Sequence, residues 1–233
     1  MTAAHETGVD AMPEDGPSLR AQLIGTARAM NDAGINVNKA GNVSARCHRG
    51  GHAGLLLTPT GLPYAALGPD DLCFIRLADG RPQGTRAPSS EWRFHLDLYR
   101  ARPEFGAIVH THSPHATALA CQASGIPAFH YMVAAAGGDD IRCAPYATFG
   151  TQALSDHARA ALVGRKACLL AHHGVIAAEA DLPRALALAL DVEHLAHTYL
   201  LARALGEPPC LPADEMAHVV EKFAHYGQPP GSG

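Results

Sequence analysis

Gly106-Ala107-Ile108-Val109-His110-Thr111-His112-Ser113-Pro114-His115 is an apolar run that ends in histidines. Read as a strand over Ala107 to His112, its period of two puts His110 and His112 side by side on one face. The helix-forming Ala116-Thr117-Ala118-Leu119-Ala120 follows at once, so the pair sits where a strand gives way to a helix. Leu169-Leu170-Ala171-His172-His173-Gly174 repeats the pattern, a short apolar strand running out into histidine. Two imidazoles at one strand end and a third from another strand fit a three-histidine zinc site with one open position, the arrangement of catalytic rather than structural zinc. A chain with 15 histidines also offers ordinary packed pairs, and a spacing of two is less diagnostic than longer motifs, so the rest of the chain must decide.

The 233 residues suffice for one domain with a sizeable core, and 47% hydrophobic with 17% charged residues is ordinary for a globular protein. A net charge of −4 without a basic stripe argues against nucleic-acid binding. No apolar stretch has the length of a membrane span, and Met1 to Gly16 lacks the basic start and apolar middle of a signal peptide, which predicts a cytoplasmic protein with no membrane partner. The six cysteines are scattered without a Cys-x-x-Cys and read as reduced, buried thiols.

Along the chain, residues 1–17 read as a mobile extension, 18–226 as one domain and 227–233 as a flexible tail. A helix is predicted from Ser18, whose hydroxyl can cap it, to Gly34. Gly41-Asn42-Val43-Ser44 is a small-residue turn entering a strand, either a plain hairpin lead-in or a backbone cradle for an anion, with Gly41 allowing close approach and Asn42 supplying an amide. Strands are predicted at Leu55–Thr58, Cys73–Leu77, Ile141–Tyr146 and Cys168–Ala171. Pro88-Ser89-Ser90-Glu91 precedes a helical spacing of Trp92, Leu96 and Tyr99; Ser89 or Ser90 is a simple N-cap, or the free amides and hydroxyls there receive a phosphate. Further helices are predicted at Thr151–Val163, Leu182–Leu205 and Ala213–His225, with His194 and His197 packed or solvated. The mixed order of elements predicts an α/β layered domain.

Taken together and in order, Gly41-Asn42-Val43-Ser44, Thr58-Pro59-Thr60-Gly61, Pro88-Ser89-Ser90-Glu91-Trp92-Arg93, His110-Thr111-His112, Pro145-Tyr146-Ala147-Thr148-Phe149-Gly150-Thr151 and His172-His173-Gly174 resemble the class II aldolase/adducin family, in particular its sugar-phosphate aldolases of the L-fuculose 1-phosphate type. The resemblance runs from about Ser18 to Tyr226. It implies a three-layer α/β/α fold on a mainly antiparallel sheet. The implied enzyme is a zinc-dependent aldolase that reversibly cleaves a ketose 1-phosphate to dihydroxyacetone phosphate and an aldehyde such as L-lactaldehyde. By motif match, His110, His112 and His173 would bind one Zn2+ per subunit and Glu91 would be the acid/base. Asn42, Thr60, Gly61, Ser89 and Ser90 would form the phosphate pocket. A homotetramer with active sites between subunits is implied, with Tyr131 reaching a neighbour's site to handle the proton on the aldehyde oxygen, and Phe149 and Tyr226 nearby. Lys39 stands where relatives carry a small hydroxyl residue and would add a charge contact to phosphate. Asp139-Asp140 replaces an Asn-Ser. These departures leave open an aldolase for 5-deoxyribulose or methylthioribulose 1-phosphate and a same-fold epimerase or dehydratase. An adducin-like module without metal chemistry is disfavoured because all three histidines and Glu91 are present.

Overall fold

A computed structural model describes residues 12–224. Eight strands form one sheet in the order β4-β3-β2-β1-β5-β8-β7-β6. They are β1 (Asn42–Arg49), β2 (His52–Leu57), β3 (Cys73–Arg76), β4 (Pro82–Gln83), β5 (Ala107–Thr111), β6 (Cys143–Ala144), β7 (Ala167–Leu170) and β8 (Gly174–Glu179). Every pairing is antiparallel except β6 with β7.

The strand alternation assigns side chains to two helical layers. Leu56, Phe74, Val43, Ala45, Val109, Leu169 and Val175 pack on one face. Covering them are α1 (Pro17–Asp32), α3 (Pro114–Cys121) and α5 (Leu182–Ala204). Leu55, Leu57, Ile75, Ile108, Cys168, Leu170 and Ile176 face the other way, under α2 (Trp92–Ala101) and α4 (Gln152–Ala161). The three-layer fold expected from the sequence is therefore present. Leu55, Leu56 and Leu57 are wholly buried on alternating faces; truncating any of them to alanine is worth about 2–5 kcal/mol. The last helix, α6 (Ala213–Ala224), packs against a 3-10 turn at Tyr131–Ala136.

Two expectations are corrected. The chain before α1 is anchored rather than a free lead-in from residue 12 onward: His48 N donates to Pro13 O at 3.0 Å and Asp15 N to His48 O at 2.8 Å. The buried Asp15 carboxylate also accepts from Arg20 at 2.6 Å and from Arg49 at 2.5 Å. Residues 1–11 lie outside the described residues, as do 225–233 and with them the expected tail. Second, α1 is started by Pro17 with Gly16 as N-cap, and Ser18 caps nothing. Proline suits the first helical position because its missing N–H would have no partner there. One strand has no signature in the sequence pattern: Val175–Glu179 lacks polar alternation, yet β8 pairs with β5 at the centre of the sheet. Strands buried on both faces have no alternation to show.

Of the six cysteines, Cys47, Cys73 and Cys168 are buried, Cys143 is half-buried, and Cys121 and Cys210 are exposed; none forms a disulfide. Burial pushes the Cys47 thiol up to about 12 and Cys73 to about 11, which keeps both protonated. No helix among the described residues is long and apolar enough to cross a membrane.

Candidate active site

His110 lies on β5 directly across from Asn42 of β1 and Ile176 of β8, on the face covered by α2. His112 follows just past the strand end, before α3. That turn is fixed from α5: the Glu193 carboxylate accepts from His115 N and Ala116 N, both at 3.0 Å, satisfying the free amides at the start of α3. His173 comes from the tight turn between β7 and β8, whose ends pair as Leu170 with Gly174. His172 takes the left-handed conformation, φ 55°, which closes that turn and leaves His173 inward and itself exposed.

The three rings converge edge to face, with centroids 4.9 to 5.0 Å apart. Glu91, at the start of α2, completes the group: one ligand atom from each of Glu91, His110, His112 and His173 lies within 4.8 Å of the others. Oε2 of Glu91 is 3.1 Å from Nε2 of His110, and Oε1 is 3.2 Å from Nε2 of His173. Oε1 is buried yet accepts no hydrogen bond.

The donor set suits a divalent cation. His110 Nδ1 donates to Val175 O at 2.8 Å, which leaves its Nε2 lone pair aimed at the cluster, and Nε2 of His112 is 3.1 Å from it. Two ring nitrogens facing each other beside a buried carboxylate are three acceptors in want of a shared positive charge. Burial, together with the neighbouring His110 and His173, pushes His112 down to about 3, in the neutral form that ligates metal. Burial by itself would raise Glu91, but the imidazoles beside it outweigh that and hold its carboxyl well below the usual range. Reciprocally, burial opposes charge on His110 while the Glu91 carboxylate overrides it and raises the ring.

Gly174 is required by this geometry. A Cβ there would fall 2.3 Å from Thr111 O and 3.0 Å from Cδ2 of His112. We expect Gly174→Ala to lower the melting temperature by several degrees, from about 1–3 kcal/mol of overpacking, and to reduce metal content by displacing His112. Thermal unfolding and metal analysis check both; wild-type values in each would show that the turn yields without cost. Gly41 has a similar reason: its Cβ would meet His110 O at 2.2 Å. The close approach expected there is therefore to β5, and Gly41 N donates to Asn36 Oδ1 at 3.0 Å.

The remaining expected residues divide. The loop holding Thr60 and Gly61 runs alongside the one holding Ser89 and Ser90, tied by Thr60 N to Ala87 O and Ser89 N to Thr58 O, each 3.1 Å. Thr60, Gly61, Ser90 and Lys39 are exposed, and Lys39 Nζ donates to Gly61 O at 3.2 Å. This forms a solvent-facing rim of hydroxyls, amides and one ammonium next to Glu91. Neither serine is the N-cap of α2; Glu91 occupies that position, and Ser89 Oγ accepts from Glu91 N at 3.3 Å. Asn42 also departs from its expected place among free phosphate donors. Its Nδ2 donates to Ser89 Oγ at 3.1 Å and Glu91 Oε2 at 2.9 Å, so both amide hydrogens are already committed inside the protein. Tyr131 and Phe149 are 51% and 65% exposed, and neither belongs to the four-residue cluster. Tyr226 lies outside the described residues. Asp139 and Asp140 both pair with Arg165, with Asp140 at 2.7 Å, so that departure has a structural partner in the loop before β7. Sequence reading missed His95, Ser44 and Tyr99, which lie behind Glu91; the signal was their spacing of four from Glu91 and of two from Asn42.

Residues 21–200 match the model of the Class II Aldolase and Adducin N-terminal domain. A Rhodospirillum rubrum protein named 5-methylthioribulose-1-phosphate/5-deoxyribulose-1-phosphate aldolase is 54% identical over 216 residues, covering 93% of this chain and 96% of that one. The L-fuculose phosphate aldolase of Escherichia coli O6:H1 is 50% identical over 210 residues, 90% of this chain and 95% of its own. A solved L-fuculose 1-phosphate aldolase superposes with a TM-score of 0.85 at 37% identity, over 90% of this chain and 97% of that structure.

Proposed function

This chain belongs to the class II aldolase/adducin family and is a metal-dependent carbon-carbon lyase, and from that premise we propose that it cleaves a ketose 1-phosphate to dihydroxyacetone phosphate and an aldehyde. The observation that carries the reading is the convergence of three imidazoles and the Glu91 carboxylate at one buried point beside an exposed rim of hydroxyls and amides.

His110, His112 and His173 would hold one Zn2+. Bound there by neutral imidazoles, the cation keeps its full charge and supplies the Lewis acidity that offsets the negative charge left on the substrate oxygens, worth several kcal/mol. The chain's own groups do the rest. Thr60, Gly61, Ser89 and Ser90 bind the phosphate by hydroxyls and backbone amides, with Lys39 adding charge at the rim. Asn42 bridges Ser89 to Glu91 and so ties phosphate binding to the acid/base. Bond cleavage leaves an electron pair on the carbon next to the former carbonyl. Glu91 delivers a proton to that carbon, and removes one in the condensation direction. A tyrosine in its phenolate form takes the proton from the hydroxyl that becomes the aldehyde oxygen, and Glu91 regains its proton from solvent, so that one proton leaves the substrate and one arrives per turnover. Tyr131 performs that step in a neighbouring subunit, in a homotetramer whose interface covers the exposed Tyr131, Tyr146 and Phe149. The enzyme works in the cytoplasm, where phosphorylated sugars are made and consumed.

Two aldehyde halves fit this frame. The 54% identical relative carries the name of a 5-methylthioribulose or 5-deoxyribulose 1-phosphate aldolase, and the 50% identical one that of an L-fuculose phosphate aldolase. A panel of ketose 1-phosphates assayed for dihydroxyacetone phosphate release separates them, because one methyl or hydroxyl at the aldehyde end is worth about 10- to 200-fold in an apolar pocket. Release from neither class would overturn the proposal.

A further inference from the structure

The face of α2 that meets the sheet carries Glu91, His95 and Tyr99 at intervals of four, and β1 facing it carries Asn42, Ser44 and Arg46 at intervals of two. The helical and strand periods mesh into one buried polar row. Asn42 Nδ2 donates to Glu91 Oε2 at 2.9 Å, and Asn42 Oδ1 meets His95 Nε2. Nδ1 of His95 meets Ser44 Oγ at 2.7 Å, and Ser44 Oγ meets the Tyr99 hydroxyl at 2.9 Å. At the far end Arg46 donates to the carbonyls of Phe105 at 2.8 Å and Arg102 at 3.0 Å, with its guanidinium 4.9 Å over the Tyr99 ring. His95 and Ser44 are wholly buried, and Asn42 and Tyr99 are 2% and 1% exposed.

The carboxylate at one end fixes the direction of every bond. Glu91 can only accept, so the amide must present Nδ2 to it and Oδ1 to His95. Oδ1 can only accept, so Nε2 of His95 carries the proton. Burial pushes the ring down to about 3, so it is neutral, and Nδ1 accepts from the Ser44 hydroxyl, which accepts from Tyr99.

We propose that His95 is a positioning residue for proton transfer: its Nε2–H holds the Asn42 oxygen, which fixes the end of that amide that faces Glu91 and thereby anchors Oε2 with Oε1 turned toward His173. The inference rests on the reading of Glu91 as the acid/base. Without the imidazole, the amide is free to turn its oxygen toward the carboxylate, where two acceptors repel. A carboxylate so loosened is misplaced for the step it performs, and displacements near 1 Å cost on the order of 100-fold in rate.

The test uses the metal-loaded full chain. His95→Leu is expected to lower kcat about 10- to 100-fold with metal content unchanged, because the three metal histidines are untouched, and to shift KM by no more than a few-fold, because Ser89 alone of the phosphate-binding residues touches the loosened amide. His95→Gln offers a donor and an acceptor at a similar separation and is expected to restore kcat to within about threefold of wild type. Should the leucine variant fail to accumulate, His95→Asn, too short to reach both Asn42 and Ser44, is expected to show the same selective loss of kcat. Wild-type kcat in His95→Leu, loss of metal in parallel with rate, or a glutamine variant no better than the leucine one would each overturn the proposal. Glu91→Gln is assayed alongside. If it is slow while His95→Leu is not, the positioning role alone fails; if it turns over at the wild-type rate, the acid/base premise fails with it.

Discussion

Glu91→Gln is expected to fold, to retain metal and to turn over about 100- to 10,000-fold more slowly, the range removed with a positioned proton-transfer group. The substitution preserves shape and the surroundings dictate its orientation. Asn42 Nδ2 donates to Oε2, so the new amide must place its oxygen there and its nitrogen at the position of Oε1. That position accepts no hydrogen bond in the protein, so no internal bond is lost. What disappears is the basic oxygen beside His173, at 3.2 Å, and the capacity to carry a proton. The loss should fall on kcat, with KM within a few-fold of wild type, because the phosphate site proposed here lies on the rim formed by the loops of Thr60 and Ser90. Dihydroxyacetone phosphate release from the preferred substrate, with metal analysis of the same sample, measures both halves. A variant with full metal and full rate would remove Glu91 from proton transfer.

The cluster of Glu91, His110, His112 and His173 was legible because each part is local. A strand period of two puts His110 beside His112, and a short apolar strand delivers His173. The resemblance of six motifs then supplied Glu91. The layered fold was legible for the same reason: the helices at Leu182–Ala204 and Gln152–Ala161 and the strands at His52–Leu57 and Ala107–Thr111 lie within a few residues of their expected positions. What could not be read is what depends on two distant segments meeting. Trp92, Leu96 and Tyr99 suggested one face of α2, but the sheet buries His95 as well, because Asn42 and Ser44 provide polar partners for it that no helix-only pattern contains. A small-residue turn reads equally as a hairpin lead-in or an anion cradle until the cross-strand neighbour is known. Here that neighbour is His110, paired with Asn42 itself, so the turn is tight because β5 lies against it.

That pairing bears on the second large effect, removal of the metal. Chelation of the purified protein is expected to abolish cleavage and to return activity on adding back Zn2+, because no other group in the cluster can offset the charge left on the substrate oxygens. It should also lower stability. A cation that binds the folded cluster and not the unfolded chain stabilises by about 2.7 kcal/mol at 100 times its dissociation constant and about 4.1 kcal/mol at 1,000 times. For a chain of this size that is a melting-temperature difference of roughly 5–15 °C between loaded and stripped protein. His173→Ala should reproduce both effects, since His110 and His112 alone leave the cation two imidazoles, while the turn that carries position 173 keeps its backbone bond from N to Leu170 O at 3.0 Å. The two readouts separate a metal that acts from one that merely braces. Loss of activity with an unchanged melting temperature would mean that the ion is held only weakly by the folded protein or is bound by the unfolded chain as well. A melting temperature that falls while cleavage survives would mean that the carbon-carbon bond is broken without Lewis-acid help, and the lyase mechanism proposed for this site would have to be abandoned.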